Sequence, residues 1–452
     1  MNRTGTVFWV HLAGAGSLAG WVTLAMASHR MERPLPLFLG VMAWEWLILL
    51  AVLRVLARGD GVRAFRPVLA WALAFLLCGV VATPVMEDDH FRFLWDGWQF
   101  ATTGNPYAQA PSKFFGNSEV PDRFLPILDQ INYPHVPTIY GPVCQAGFLM
   151  SYWIAPGRLW PWKLLLCAVA LALVWIAVRI QAWREANASE PEKPAQVALL
   201  IGWCPLLIFE TGFNAHPDAL GVLCLCAALL ARLRGGEAVC GVLCGVAVAA
   251  KAFALPFLPF LLGRSRAAWL GCAAALVAAY GPFLLQGSGA EFAGLMTFAR
   301  DWEFNSSLYG LARWGLGVSA AKALCGAIFV AVWGWLYLRW WANKSAACGG
   351  IPPGAAMFGT LLLCSATVNP WYLLWLAPFV AWRPTAAGLA ALALVSLSYL
   401  TGLNLGWPAM DNFAHPWWVR PLEYGGIAVA AVVDWWRARA VAVEANFASK
   451  PL

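Results

Sequence analysis

The sequence predicts an all-α polytopic membrane protein, and three observations support this fold class. Of the 452 residues, 61% are hydrophobic and only 12% are charged, against about 45–50% and about 25% in ordinary soluble proteins. Apolar runs of about 20 residues, the length that crosses a bilayer core, recur along the chain. The chain also has 28 Trp, as expected of aromatic belts at two membrane surfaces. We therefore expect lipid to surround most of the chain.

The apolar runs predict a single integral membrane domain, 1–452, with about 12–14 transmembrane or re-entrant segments. Three segments occupy 1–86, a polar and Pro-rich external loop follows at 87–139, and the remaining core extends over 140–436, with a tail at 437–452. The segments are expected near 6–27, 35–57, 66–86, 140–156, 159–182, 195–213, 217–233, 237–263, 267–286, 318–341, 354–369, 371–382, 385–404 and 421–436.

Clusters of Lys and Arg predict the orientation, because cytoplasmic loops are enriched in these residues. Such clusters occur in the loop from Arg54 to Arg66, around Lys193, around Lys344 and in the tail. Taking them as cytoplasmic places the external loop 87–139 outside, together with 287–317, the 369–371 turn and 405–420.

Two segments raise topological questions. With 87–139 outside, 140–156 and 159–182 cannot both cross the membrane completely, and the sequence does not decide which one stops part-way. The segment 237–263 is broken by Lys251 and two prolines, so we expect two half-helices that return to the same side. Broken backbone at membrane depth is tolerated where it lines a cavity or is buried in protein.

Charge and cysteine content exclude some functions. The net charge of +7 comes from Lys and Arg in short inter-helix loops, which gives no indication of nucleic-acid binding. The 12 Cys have no spacing typical of a metal or redox site, and most lie in apolar runs as small buried residues.

The informative residues are ionisable groups near the outer side. Glu87, Asp88 and Asp89 follow the third apolar run directly, and Lys251 lies inside an apolar run. An ion at mid-bilayer costs about 2.5–3.5 kcal/mol on insertion scales, so it indicates a site with a partner. Structural alternatives remain: a helix-end marker for the three carboxylates, and a snorkelling side chain for Lys251. The other candidates lie in the stretches "NYPHVPTIYGP", "FETGFNAHPDALG" and "ARDWEFNSSLYG".

These residues indicate an outward-facing cavity with carboxylates at its mouth and cations across from them. Glycosyl transfer from a lipid-linked phosphate sugar needs both charges. A general base takes the proton from the acceptor hydroxyl, and cationic groups stabilise the departing phosphate. A nucleotide donor is not expected outside the cytoplasm, and no Gly-rich phosphate loop stands on a strand–helix junction.

The chain resembles membrane glycosyltransferases of the GT-C superfamily, and is similar in particular to bacterial polyprenyl-phosphate-mannose-dependent mannosyltransferases. The stretches that carry the resemblance are "EDDHFRFLWDGWQFATTGNPYAQAP", "INYPHVPTIYGPVCQ", "GWCPLLIFETGFNAHPDAL", "GVAVAAKAFALPFLPFLL", "WEFNSSLY" and "NPWYLLWLAPF". One departure is that the acidic loop here follows the third apolar segment, whereas many relatives place it after the first.

The resemblance implies that Asp89 is the catalytic carboxylate, with Asp88 as the neighbouring possibility, and that Arg92 orients it by pairing. Lys251 and His216 would stabilise the departing phosphate. The expected substrate-binding residues are Arg92, Asp96, His135, Tyr140, Asn214, His216, Asp218, Lys251, Trp302, Asn305, Asn369 and Trp371. Pro217 replaces a polar residue of the family's pattern, which weakens the match around His216.

The predicted function is therefore an inverting glycosyltransferase at the outer face of a bacterial inner membrane. Its donor would be a polyprenyl-phosphate sugar, with mannose expected, and its acceptor a glycan or lipid. No cofactor is expected to be obligate and no metal site is predicted, although adjacent carboxylates can hold Mg²⁺ or Mn²⁺. The alternative function is a transporter or flippase of lipid-linked sugars.

Overall fold

The computed structural model describes residues 3–58, 61–185, 194–286, 292–343 and 350–448. Within these ranges the chain is helical and forms no β-strand; one isolated bridge joins Phe304 and Thr367. The predicted all-α membrane architecture is confirmed. The predicted basic positions Lys193 and Lys344, and the chain end at 449–452, lie outside the described residues.

The N-terminal part contains the three long helices that the sequence predicts. They are α1 (Arg3–Ser28), α2 (Leu35–Arg58) and α3 (Gly61–Val81). α1 packs against both α2 and α3, and α3 packs in turn on the central helices. The end of α3 therefore holds the start of the acidic region against the core.

The remaining helices follow in order through the core. They are α4 (Asp89–Thr103), α5 (Leu125–Asp129), α6 (Pro142–Ile154), α7 (Trp160–Glu185), α8 (Pro194–Gly202), α9 (Pro205–Leu207), α10 (Asp218–Leu233), α11 (Glu237–Ala250), α12 (Leu258–Leu262), α13 (Arg266–Leu284), α14 (Ala293–Asp301), α15 (Leu308–Leu316), α16 (Val318–Ala342), α17 (Gly354–Cys364), α18 (Ala377–Trp382), α19 (Ala386–Leu394), α20 (Gly402–Leu405) and α21 (Val419–Ala448).

Tighter and wider helical turns complete the helical structure. Five 3₁₀ turns lie at Pro111–Phe114, Asp122–Phe124, Ala252–Phe257, Pro370–Trp375 and Val395–Tyr399, and one π-helical turn lies at Ile208–Phe213.

Six helices of the described chain are long and apolar enough to cross a membrane: α1, α2, α3, α7, α13 and α16. The pair Pro194–Gly202 and Pro205–Phe213, bent by 43°, would make a seventh span. α7 has 26 residues, whereas α6 has 13 and reaches only about 20 Å. The segment 159–182 is thus the one that can span, and 140–156 is too short.

The acidic region 87–139 folds around a small core of its own. Trp95, Trp98 and Phe124 are buried there together with Phe114 and Leu128. α4 packs closely on α6. A Cβ at Gly97 would lie only 2.6 Å from the carbonyl oxygen of Phe148. This close approach leaves no room for a side chain at position 97, in the middle of α4.

The predicted break at Lys251 is present. α11 ends at Ala250, the backbone of Lys251 is extended (φ −158°, ψ 128°), and a 3₁₀ turn at Ala252–Phe257 follows. Pro256 and Pro259 lack the N–H that a continuous helix would need. Whether the two halves return to the same membrane side stays a prediction.

Candidate active site

A cavity of about 790 Å³ lies between the acidic region and the C-terminal half of the core. Its walls come mainly from 87–92, 132–144, 248–253, 295–304 and 365–372. The sequence-predicted site residues that line it are Asp88, Asp89, Arg92, Tyr140, Lys251, Trp302, Asn369 and Trp371. The fold thus brings the carboxylates after α3 and the lysine at the end of α11 to one space.

Asp89 is the first residue of α4 and faces the cavity with 28% of its side chain exposed. The free N–H groups at a helix N-terminus favour a carboxylate there. Tyr140 donates its hydroxyl to Asp89 Oδ2 at 2.9 Å. His216 Nε2 lies 3.7 Å from the same oxygen, which is an ionic contact rather than a hydrogen bond. One edge of the carboxylate is therefore held by two partners.

The three adjacent carboxyl groups differ in ionisation. Burial alone would raise the pKa of Asp89, but its contact with His216 and the hydrogen bond from Tyr140 outweigh burial, so its pKa is lowered. Burial and the charge of Asp89 raise the pKa of Asp88 to about 6. Burial raises the pKa of Glu87 well above its usual range. At neutral pH Asp89 is therefore the carboxylate that is most firmly ionised.

His216 stands behind Asp89, is fully buried and lies outside the cavity lining, so it does not face the space for a departing phosphate as the resemblance implied. Its Nδ1 lies 2.9 Å from Glu210 Oε2, which leaves Nε2 directed at Asp89. The indole of Trp371 stacks on the imidazole with ring centroids 3.6 Å apart and an interplanar angle of 18°. Burial alone would lower the pKa of His216, but its contacts with Asp89 and Glu210 raise it to about 9. His216 is thus a buried imidazolium.

The π-helical turn Ile208–Phe213 presents the group that fixes His216. Tyr399 donates its hydroxyl to Glu210 Oε1 at 2.9 Å, and Asn214 donates to Glu210 Oε2 at 3.2 Å. Ala215, between Asn214 and His216, has φ 67°, an unusual conformation for a residue other than Gly. π-Helical turns occur often at functional sites, and the turn at Ile208–Phe213 places Glu210 beside His216.

Lys251 enters the cavity from the break after α11 and is 25% exposed, whereas its partner Asp218 is fully buried. Its Nζ donates to Asp218 Oδ1 at 2.6 Å, and Trp375 Nε1 donates to the same oxygen at 3.0 Å. Nζ also lies 4.1 Å from the ring centroid of Tyr372. A lysine without a charged neighbour in the sequence thus has a buried counter-ion in space.

Arg92 does not pair with Asp89 as predicted. Its guanidinium donates instead to the carbonyl oxygens of Val136 at 2.9 Å and Tyr133 at 3.3 Å. Its positive charge still contributes to lowering the pKa of Asp89. Arg92 therefore fixes the 133–136 segment, one turn along α4 from the carboxylate.

Four other predicted substrate-binding residues are fully or almost fully buried away from the cavity surface. Asp96, two turns below Asp89, accepts from Thr138 at 2.5 Å and Gln145 at 2.8 Å and joins α4 to α6. Asn214 and Asp218 bind Glu210 and Lys251, as described above. Asn305 donates to both carboxylate oxygens of Glu423 at 3.1 Å. These four residues bind other protein side chains and do not line the cavity.

His135 is the remaining departure. Its side chain is exposed and lies outside the cavity lining. Its neighbours Asn132, Tyr133 and Val136 line the cavity, and Arg92 donates to the carbonyl oxygens of Tyr133 and Val136. The expected place of His135 among the substrate-binding residues is therefore not supported by its position.

Sequence reasoning missed several residues that complete the site. Asn132 donates to Asp88, Tyr372 faces Lys251, and Trp375 and Tyr399 hold the buried carboxylates. Asn132, Tyr372 and Trp375 lie inside stretches that the sequence had singled out. Tyr399 stands in an apolar run, where an aromatic residue gives no signal that distinguishes a hydrogen-bond donor from a packing residue.

Metal-ligating residues do not converge within the described chain, where no group of three His, Cys, Asp or Glu side chains is arranged to hold an ion. The polar groups of the cavity are instead paired with one another, as Asp89 is with His216 and Lys251 with Asp218. The independence from metal stays a prediction.

Comparison with known proteins gives one match. A family model described as "Alpha-(1->6)-mannopyranosyltransferase, N-terminal domain" matches residues 12–267, more than half of the chain. The matched range includes Asp89, His216 and Lys251. The comparisons with curated proteins and with solved structures found no match.

Proposed function

Because the chain belongs to the alpha-(1->6)-mannopyranosyltransferase family, we propose that it transfers mannose from a polyprenyl-phosphate donor. The acceptor is a glycan or lipid at the outer face of a bacterial inner membrane, and the transfer inverts the anomeric centre. Family membership makes the chain a membrane mannosyltransferase of the GT-C type. The donor, the acceptor, the membrane face and the residue roles are the content of the proposal.

One observation carries the proposal: an ionised carboxylate and a lysine ammonium line the same cavity from different walls. Asp89 comes from the start of α4, and Lys251 comes from the break after α11. Inverting transfer from a phosphate donor needs a base on one side of the sugar and an anion-stabilising group on the other. The two side chains supply these two charges.

Asp89 serves as the general base. It takes the proton of the acceptor hydroxyl while the oxygen forms its bond to the anomeric carbon. Tyr140 and His216 hold Oδ2, so Oδ1 is the oxygen left to receive the proton. The low pKa of Asp89 keeps it ionised before the acceptor binds. Attack from the face opposite the phosphate inverts the configuration.

Lys251 receives the departing phosphate. As the bond between the anomeric carbon and the phosphate oxygen breaks, the polyprenyl phosphate becomes a more highly charged anion. The Lys251 ammonium has three N–H donors, of which one is directed at Asp218. The others are available to phosphate oxygens as charge-assisted hydrogen bonds. We propose that this stabilisation needs no obligate metal ion.

The membrane location fits a lipid-linked donor. Only 17% of the apolar window of each of the candidate spans α13 and α16 is buried inside the protein, as expected of helices whose remaining surface contacts lipid. The distribution of Lys and Arg supports an outward-facing cavity. A sugar carried on a lipid phosphate reaches such a cavity from within the bilayer and does not require a nucleotide.

Transfer in a defined system tests the proposal. The purified chain in liposomes is given radiolabelled polyprenyl-phosphate mannose and manno-oligosaccharide or lipid acceptors. We expect a labelled product whose anomeric configuration is opposite to that of the donor, and no product with Asp89→Asn. Movement of the labelled lipid between leaflets without sugar transfer would instead support a flippase and contradict the proposal.

A further inference from the structure

One wall of the cavity has no role in the transfer step described above. We infer that this wall binds the terminal sugar ring of a neutral glycan acceptor, an inference that rests on the proposed function. The wall, here called the acceptor wall, consists of Tyr133, Asp301, Trp302, Glu303 and Phe413, all of which line the cavity. It selects a glycan over a lipid head group or a protein side chain as the acceptor.

Three aromatic rings form the apolar part of the acceptor wall. The rings of Tyr133 and Trp302 have centroids 4.4 Å apart, and Tyr133 stacks on Phe413 with centroids 6.4 Å apart. Tyr133 is 46% exposed and Phe413 40% exposed. An exposed aromatic cluster inside a cavity is unlike core packing and typical of a binding surface. The flat apolar face of a pyranose ring fits such a surface.

Two carboxylates form the polar part. Asp301 accepts two hydrogen bonds of 2.8 Å from Arg300. Glu303 accepts from Tyr309 at 2.6 Å and also from Arg313. Each carboxylate keeps free lone pairs for sugar hydroxyls. Because each is paired with an arginine, the acceptor wall adds hydrogen-bond acceptors with little net charge, which suits a neutral glycan.

The backbone holds the acceptor wall in place. Thr367 donates its hydroxyl to the carbonyl oxygen of Trp302 at 2.9 Å. Phe304 N donates to Ala366 O at 3.0 Å, and Val368 N donates to Phe304 O at 2.8 Å. The bridged segment at Thr367 leads to Trp371, which stacks on His216. The acceptor wall and the base therefore share one framework.

Tyr133 is held in an unusual conformation, with φ 49°. Left-handed backbone at a residue other than Gly is costly and is found where the surroundings enforce it. Arg92 and Val136 N both donate to the Tyr133 carbonyl oxygen, at 3.3 Å and 3.0 Å. Asn132, the preceding residue, donates to Asp88. This segment thus links the aromatic surface to the carboxylates.

Trp302→Ala tests the inference, with Trp302→Phe as the conservative variant. Trp314→Ala is the matched control, because Trp314 is 92% exposed and lies outside the cavity lining. With donor saturating, we expect Trp302→Ala to raise the KM for α-linked manno-oligosaccharides by about tenfold, the effect of one lost ring contact. The KM for the donor should not change. Trp302→Phe should recover most of the acceptor affinity, and Trp314→Ala should behave as wild type.

A binding measurement separates this inference from the proposed function. Saturation-transfer NMR with manno-oligosaccharide and no donor should show binding to the wild type and to Trp314→Ala, but not to Trp302→Ala. Binding without any transfer from polyprenyl-phosphate mannose would support the acceptor wall as a glycan-binding surface and refute the proposed donor. An unchanged acceptor KM in Trp302→Ala, or equal changes in both KM values, would overturn the inference.

Discussion

Two acid–cation pairs lie at the same cavity in opposite arrangements. In one, the Asp89 carboxylate is 28% exposed and its partner His216 is fully buried. In the other, the Lys251 ammonium is 25% exposed and its partner Asp218 is fully buried. The protein therefore presents a negative group on one wall and a positive group on another, each backed by a buried counter-charge.

The comparison shows how a protein can present charged groups to a cavity in a largely apolar region. A single ion at membrane depth is costly, but a pair with one exposed member presents a charge while its partner stabilises it. The exposed member decides what each wall can do. Asp89 can accept a proton, and Lys251 can bind an anion. Removing one charge or the other should therefore affect different steps of the reaction.

The largest effect is expected from Asp89→Asn, which removes the negative wall. Loss of a general base lowers kcat by about 10²–10⁴, while membrane insertion should stay intact because the amide still accepts from Tyr140. Asp88→Asn should lower kcat by a smaller factor, since Asp88 is the more weakly acidic group. The measurement is kcat for both variants. Substantial activity in the Asp88→Asn, Asp89→Asn double variant would remove Asp89 from the mechanism.

Removing the positive wall should have two separable effects. Lys251→Met leaves Asp218 buried without its cation, and breaking a buried pair costs on the order of 3–5 kcal/mol of stability. The double variant Lys251→Met, Asp218→Asn should recover stability, because Trp375 can still donate to the remaining oxygen. Thermal unfolding measures this recovery.

Donor use should not recover in that double variant. We expect its KM for polyprenyl-phosphate mannose to stay raised at least tenfold, with the acceptor KM unchanged. Equal loss of donor and acceptor affinity would contradict a role of Lys251 at the phosphate.

A smaller effect is expected on the buried side of the first pair. Glu210 contributes to raising the pKa of His216 to about 9. Glu210→Gln removes this charge and should lower the pKa of His216 by about one unit or more. His216 then loses its proton at lower pH, so the alkaline limb of the kcat/KM profile should move to lower pH. An unshifted alkaline limb would show that His216 does not titrate there.

The smallest effect is expected at Asp88. Burial raises its pKa to about 6, and the hydrogen bond from Asn132 limits that rise. Asn132→Ala removes the bond, so the pKa of Asp88 should rise further and the acid limb of kcat/KM should move to higher pH by about half to one unit. An acid limb that does not move would show that it belongs to another group.

The sequence predicted the fold class because hydrophobic runs and breakers are local signals. Pro256 and Pro259 marked the break at Lys251, and helix length alone separated α6 from α7 once their ends were known. The three carboxylates were recognised because ions beside apolar runs are rare. These features depend on composition over short stretches, which the sequence displays directly.

The partners of the charges could not be predicted in the same way. Asp218 and Lys251 lie 33 positions apart, and Tyr399 lies 189 positions from Glu210. Asp96 and Asn305 look like site residues in sequence, but packing turns them to Gln145 and Glu423. Arg92 shows the same limit, since the family resemblance implied pairing with Asp89 whereas its guanidinium donates to backbone carbonyl oxygens.

The most direct test is binding of radiolabelled polyprenyl-phosphate mannose to two variants in liposomes. Asp89→Asn should retain the donor with wild-type affinity and form no product. The variant Lys251→Met, Asp218→Asn should fold and insert but retain the donor at least tenfold more weakly. Loss of donor binding in Asp89→Asn, or full retention in the lysine variant, would contradict the division of charge between the two walls.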